Sequence, residues 1–186
     1  MEPGPHWDRV YAKDARTEFS WFEEMPAVSL RLIEAAGLSS ATRIIDIGGG
    51  DSHLVDELLT RGIRRITVLD ASAAAIARVR ERLGLAADQV TWIEANVTGA
   101  WTSSPVDIWH DRAVFHFLTT ASDRAAYIDQ LRRTLTPAGT AIIATFALDG
   151  PASCSGLPVQ RYSPATLARE LGEGFTLEEA IDHVHH

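Results

Sequence analysis

The chain contains one cysteine, Cys154, and one lysine, Lys13, in 186 residues. A single thiol cannot close an internal disulfide, so the fold must be held by a buried core, and a reducing, cytoplasmic setting is expected. No apolar run approaches the roughly 18 residues needed to cross a bilayer. The first residues, Met1-Glu2-Pro3-Gly4-Pro5-His6, lack the basic and apolar pattern of an export signal, so no membrane role is expected. Positive charge is also scarce: the net charge is −8, with 17 Lys and Arg against 25 Asp and Glu. Bulk nucleic acid is thereby excluded as a partner, because such binding rests on neutralising phosphates. There is no repeat and no low-complexity tract. With 46% hydrophobic residues the length suits one packed domain, residues 1–186.

What the chain does have is a run, Ile44-Ile45-Asp46-Ile47-Gly48-Gly49-Gly50-Asp51-Ser52, that is apolar, reaches an acid and breaks into three glycines. This is the profile of a strand feeding a ligand-binding turn, since glycine accepts positive φ and lets a ligand lie against the backbone. Twenty-two positions after Gly48 a second apolar run, Ile66-Thr67-Val68-Leu69, also ends on an acid, Asp70. A carboxylate at the tip of the second strand of a nucleotide-binding βαβ unit accepts the hydroxyls of a ribose. A nucleoside ligand is therefore expected. A dinucleotide fold would place a third glycine where His53 stands, and Asp46 would repel a pyrophosphate in a poorly solvated cleft. A cationic ligand removes that conflict.

From residue 42 onward β-type runs alternate with helical patterns, which predicts an α/β fold: a doubly wound, mostly parallel sheet with helices on both faces. The expected strands are Arg43 to Asp46, Ile66 to Asp70, Val90 to Glu94, Val106 to His110, Thr140 to Phe146 and Phe175 to Val184. Gly62 and Gly84 suit helix C-termini, Ser72 and Ser122 suit N-caps, and Ser163-Pro164 is a cap followed by proline at the first helical position. Thr136-Pro137-Ala138-Gly139 is expected to turn into the fifth strand, and Pro26 to Ala36 to form an amphipathic helix.

The glycine stretch resembles motif I of the class I S-adenosylmethionine-dependent methyltransferases, acid-x-Gly-x-Gly-x-Gly. Asp46, Gly48 and Gly50 match it, and Ser52 replaces its last glycine. The resemblance implies a Rossmann-like methyltransferase fold with S-adenosylmethionine as cofactor. Asp46 would support the methionine end, Gly48, Gly49 and Gly50 would make room, and Asp70 would hold the ribose. Where the family often bonds an aspartate to the adenine amino group, this chain has Asn96, followed by Val97; a polar turn residue is the alternative reading. The family usually has seven strands, and the expected sixth, Phe175 to Val184, runs to the end of the 186 residues, so either a tail is absent from them or the seventh strand is dispensable. An uncovered edge recruits a partner, and a homodimer through the C-terminal edge of the sheet is one expectation.

Trp109-His110-Asp111-Arg112-Ala113-Val114-Phe115-His116-Phe117 resembles motif IV of many small bacterial methyltransferases. His110, Asp111 and His116 are candidate proton acceptors there, each weighed against a packed or paired role. Arg112 reads as either an internal ion pair or a ligand contact. The first 25 residues are rich in aromatics and read as a lid that brings Tyr11 and Trp21 to the acceptor, with packing on the sheet edge as the alternative. Residues 149–162 lack periodicity and read as a substrate loop with Arg161 and Tyr162 as contacts. His183 and His185 fall short of the three or four ligands of a zinc site, so no metal is expected. Methyl transfer to a small molecule or a protein side chain by in-line displacement is the leading expectation. A few matches at Trp7, Tyr11 and Ser20-Trp21-Phe22 resemble protein-lysine methyltransferases. A non-catalytic adenosyl-binding partner subunit and a nicotinamide-dependent oxidoreductase are the rivals.

Overall fold

Five parallel strands with the order β3-β2-β1-β4-β5 form the centre of the computed structural model, which describes residues 3–11 and 23–184. The strands are β1 (Arg43–Ile47), β2 (Arg65–Asp70), β3 (Val90–Glu94), β4 (Val106–Arg112) and β5 (Leu135–Ala144). Their Ile and Val content suits a sheet covered on both faces. The helices are α1 (Pro3–Tyr11), α2 (Ala27–Ala35), α3 (Leu54–Thr60), α4 (Ala73–Leu83), α5 (Ala121–Thr134) and α6 (Pro164–Leu171). Strand order reverses between β1 and β4, and in open sheets that reversal opens a crevice beyond the carboxyl ends of the strands.

Side chains alternate along each strand, so register decides which face a residue serves. Ile44, Ile66, Val68 and Ile108 pack with Leu30 and Ile33 of α2, Leu54 and Leu58 of α3 and Val79 of α4. Ile45, Ile47, Leu69 and Trp109 pack on the other face with Tyr127 and Leu131 of α5. Asp46 is paired with His110 in the β1–β4 register, and Ile47 with Asp111. His110 therefore belongs to the α2 face and Asp111 to the α5 face.

The expected helix stops and starts are largely present. Ser72 accepts the Ala75 N–H at 3.1 Å, Gly84 takes φ 56° after α4, and Ser163 with Thr166 forms a capping box at α6. The cap of α5 is Thr120 rather than Ser122, because Thr120 is the residue whose hydroxyl reaches the Asp123 N–H, at 3.1 Å.

Three expectations are corrected. Thr136 to Gly139 lies within β5 as an irregularity: Val106 pairs with Leu135 and Ile108 with Thr140, so the proline segment bulges out of an otherwise continuous strand. Residues 149–162 carry a short antiparallel hairpin, β6 (Ser153–Cys154) with β7 (Leu157–Pro158). Ser155 and Gly156 both take positive φ, 50° and 78°, as a tight two-residue hairpin turn requires. Phe175 to Val184 forms no strand; Leu177 and Val184 are exposed, and the segment is tied to Arg31 by Glu179 at 2.6 Å. A strand needs a neighbour to pair with, and among the described residues nothing pairs with the outer edge of β5.

Candidate functional site

At the carboxyl ends of β1 and β4 a cavity of about 40 Å³ is lined by Asp46, Gly48, Gly49, Asp51, His110 and Arg112, with Tyr11 and Glu23 closing it. The glycine turn is held by a 2.7 Å bond from the Gly48 N–H to the Leu69 carbonyl, which ties β1 to β2. Gly48 has φ 65°, and a Cβ there would fall onto Val114. A Cβ on Gly49 would stand 2.5 Å from Asp46 Oδ2, and one on Gly50 2.6 Å from Asp70 Oδ2. The glycines thus make room first for the protein's own carboxylates. This refines the sequence expectation, in which the space was wholly for a ligand.

Asp70 ends β2 and is buried. Its Oδ2 accepts the Gly50 N–H at 2.9 Å and its Oδ1 the Ser72 N–H at 2.8 Å. Burial pushes its pKa up to about 7; the two N–H bonds act in the opposite direction and the nearby Asp46 adds to the rise. Asp46, also buried, accepts from His110 Nδ1 through Oδ1 at 2.7 Å, and its Oδ2 has no hydrogen-bond partner. The other nitrogen of His110 lies 2.9 Å from the Ser29 hydroxyl on α2. Asp51 pairs with Arg82 of α4 at 3.1 Å, and Arg82 also holds Asp56 at 2.7 Å.

Tyr11 is buried at the end of α1 and lines the cavity. Burial and the charges of Asp70 and Asp51 raise its pKa. The helix is anchored by Asp8, which accepts from the Ser72 hydroxyl at 2.6 Å, and by Trp7, whose ring meets Phe117 at 5.2 Å. Trp21 lies outside the described residues. Arg112 lines the cavity and approaches Glu23 at 3.4 Å.

Several sequence candidates lie outside the cavity lining and bond within the fold. Asp111 is buried on the opposite face of the sheet: it accepts from the Tyr127 hydroxyl at 2.6 Å and from the N–H groups of Val114 and Phe115 at 2.8 and 3.1 Å. Burial lifts its pKa to about 6. Asn96 is exposed after β3, its carbonyl accepting from the Thr98 N–H and hydroxyl; Val97 is buried in the α5-face core. Arg161 donates to the Gly150 carbonyl at 2.9 Å and braces the hairpin segment, and Tyr162 packs on Phe115. Neither lines the cavity.

His116 is fully buried between Phe117 and Phe146, ring centroids 4.3 and 4.8 Å away, and neither ring nitrogen has a hydrogen-bond partner. Its desolvated environment brings its pKa down to about 4, so it is neutral at pH 7. Sequence reasoning missed Ser29, Glu23 and Asp51. Ser29 carries no signal of its own, because a serine among apolar residues of a helix reads as filler. Its role appears only when β4 sets His110 above α2.

The site is acidic and partly unsatisfied. A buried carboxylate oxygen without a donor costs about 1–3 kcal/mol, and Arg112, whose guanidinium suits a carboxylate, lines the same cavity as Asp46. Asp46 and Arg112 share the cavity wall, whereas Asp70 does not line it and is bonded to the Gly50 and Ser72 N–H groups.

Comparison with known proteins gives the family and the fold. Residues 44–139 match the family model described as a methyltransferase domain. The chain is 28% identical over 141 residues to the trans-aconitate 2-methyltransferase of Azoarcus sp. (strain BH72), covering 75% of this chain and 50% of that protein. It is 26% identical over 192 residues to EEF1A lysine methyltransferase 2 of Mus musculus, covering 95% and 72%. The chain thus spans half the length of the first of these relatives. Among solved structures, the N-methyltransferase NodS from Bradyrhizobium japonicum WM9 in complex with S-adenosyl-L-homocysteine superposes with a TM-score of 0.60 at 22% identity, over 77% of this chain and 72% of that one. At that identity the likeness speaks for the fold.

Proposed function

The chain belongs to the methyltransferase-domain family, and from this we propose that it binds S-adenosylmethionine at the β1–β4 crevice and transfers the methyl group to a small molecule or a protein side chain. The observation that carries the reading is the unpartnered Oδ2 of buried Asp46 beside the glycine turn. It gives a cationic amino group a fixed acceptor, which a pyrophosphate-bearing dinucleotide would instead find repulsive. A single cysteine supports a reducing, cytoplasmic setting.

When bound, S-adenosylmethionine supplies a methyl group on a sulfonium, whose positive charge is lost as the methyl leaves. The protein's work is therefore mostly positional: an in-line displacement needs the acceptor atom about 3 Å from the methyl, opposite the departing sulfur. Asp46 and Arg112 are placed to hold the zwitterionic end. Asp70 offers its remaining lone pairs to the ribose. Tyr11 closes the crevice against water, which would compete for space around the reacting centre.

Isothermal titration with S-adenosylhomocysteine, in parallel with NAD, tests the reading. Saturable heat is expected with the first and none with the second. Absence of binding to S-adenosylhomocysteine would overturn it, and binding without turnover across small-molecule and peptide acceptors would favour a non-catalytic adenosyl-binding subunit.

A further inference from the structure

We propose that Ser29 and His110 act as positioning residues that aim Asp46 at the ammonium of the bound amino-acid moiety. This inference rests on the function proposed above.

The three side chains form a line from α2 through β4 to β1. Ser29 Oγ lies 2.9 Å from His110 Nε2, and His110 Nδ1 lies 2.7 Å from Asp46 Oδ1. All three are buried, with 6%, 3% and 2% of their surface exposed. A carboxylate can only accept, so the proton between the ring and Asp46 belongs to Nδ1, and in the neutral ring Nε2 is left as an acceptor for the Ser29 hydroxyl. Each end of the imidazole is therefore pinned, and the ring cannot turn without breaking a bond.

The consequence falls on Asp46. A carboxylate held by one oxygen keeps the other in a fixed direction, and here the other is the unpartnered Oδ2 against Gly49. Asp46 and His110 line the cavity, whereas Ser29 does not. The order Ser-His-Asp resembles that of a hydrolytic triad, yet Ser29 is buried and does not line the cavity. The line works in the opposite direction, from the scaffold toward the cavity. It also acts on one part of the ligand: Asp70, assigned above to the ribose, has its own backbone donors and shares none with the relay.

Two ligands and three variants of the 186-residue chain separate this role from a structural one. S-adenosylhomocysteine carries the amino-acid end and methylthioadenosine lacks it. Asn at position 110 places an N–H near the position of Nδ1, whereas Gln places its amide near Nε2. Calorimetry is expected to show His110→Gln weakening S-adenosylhomocysteine about tenfold, as loss of one charge-assisted hydrogen bond implies, with methylthioadenosine within about twofold of wild type. His110→Asn is expected to restore most of the loss. Ser29→Ala should weaken S-adenosylhomocysteine alone by about two- to fivefold, and it carries the test should the His110 variants fail to fold. Equal losses for both ligands, no rescue by Asn, or unchanged affinity would overturn the inference. A wild-type chain that binds neither ligand would instead overturn the proposed function.

Discussion

Under the glycine turn, every oxygen of Asp70 meets a backbone N–H and Asp46 is pinned through His110, whereas after β4 the ring of His116 lies among aromatics with both nitrogens unpartnered. Both regions bury a titratable group, and burial pushes each toward its neutral form: Asp70 up to about 7 and His116 down to about 4. The first region is organised by directional bonds from the chain itself, the second by packing. The contrast shows what precision each can provide. Bonds from fixed N–H groups set where a carboxylate oxygen points, while aromatic contacts set only which volume a ring fills.

The largest expected effect comes from breaking the bonded region at its backbone. Gly48→Val places a branched side chain at φ 65° and onto Val114. It should cost about 3 kcal/mol or more of stability, read by denaturant unfolding, with cofactor binding lost as a result of the damaged turn. The variant thus measures the turn as scaffold, and an unchanged unfolding midpoint would show that the turn tolerates what its geometry forbids.

Asp70→Ala is a smaller break. It removes an acceptor that the ribose would share, so binding of both S-adenosylhomocysteine and methylthioadenosine should fall by about 1–3 kcal/mol in calorimetry. Equal effects on both ligands distinguish Asp70 from His110, whose loss is expected to spare methylthioadenosine.

The tests that sharpen the comparison most are the pH dependences. An aspartate whose pKa rises from about 3.9 unfolded to about 7 folded holds a proton that unfolding releases between those values. Stability therefore falls as pH rises through that window, by at most about 1.4 kcal/mol per pH unit. For His116 the folded value of about 4 lies below an unfolded value of about 6.5, so unfolding takes up a proton and stability falls as pH drops through that window. Thermal unfolding of Asp70→Asn and His116→Phe from pH 4 to 7 should show opposite changes relative to wild type. The first variant loses the penalty at pH 7, and the second loses it at pH 4. Parallel curves would mean that the two groups are not desolvated as described.

Much of the fold was legible because it depends on local composition. The apolar β-branched runs at residues 43–47, 65–70 and 90–94 could only be strands. Ser72, Gly84 and Ser163-Pro164 marked helix ends through their own hydrogen bonds and backbone angles. Phe175 to Val184 misled for the complementary reason, since apolar content alone does not provide a neighbouring strand to pair with. Asp46 and Asp70, of which Asp46 lines the cavity, were legible as acids at the ends of β1 and β2. Asp111 was not, although a signal was available: it follows His110 directly, and neighbours on a strand point to opposite faces. If His110 shares a face with Asp46, Asp111 cannot.

The sequence by itself determined an alternating α/β chain, a glycine turn flanked by two strand-end acids, and an acid-rich balance unsuited to bulk nucleic acid. These follow from residue type and spacing, which act over a few positions. Only the tertiary structure decided that the glycines first accommodate Asp46 and Asp70, that Asp111 braces Tyr127, and that Ser29 reaches His110 across 81 intervening steps of sequence. Those outcomes depend on strand register and helix placement, and both are set by the burial of the whole core rather than by any local run of residues.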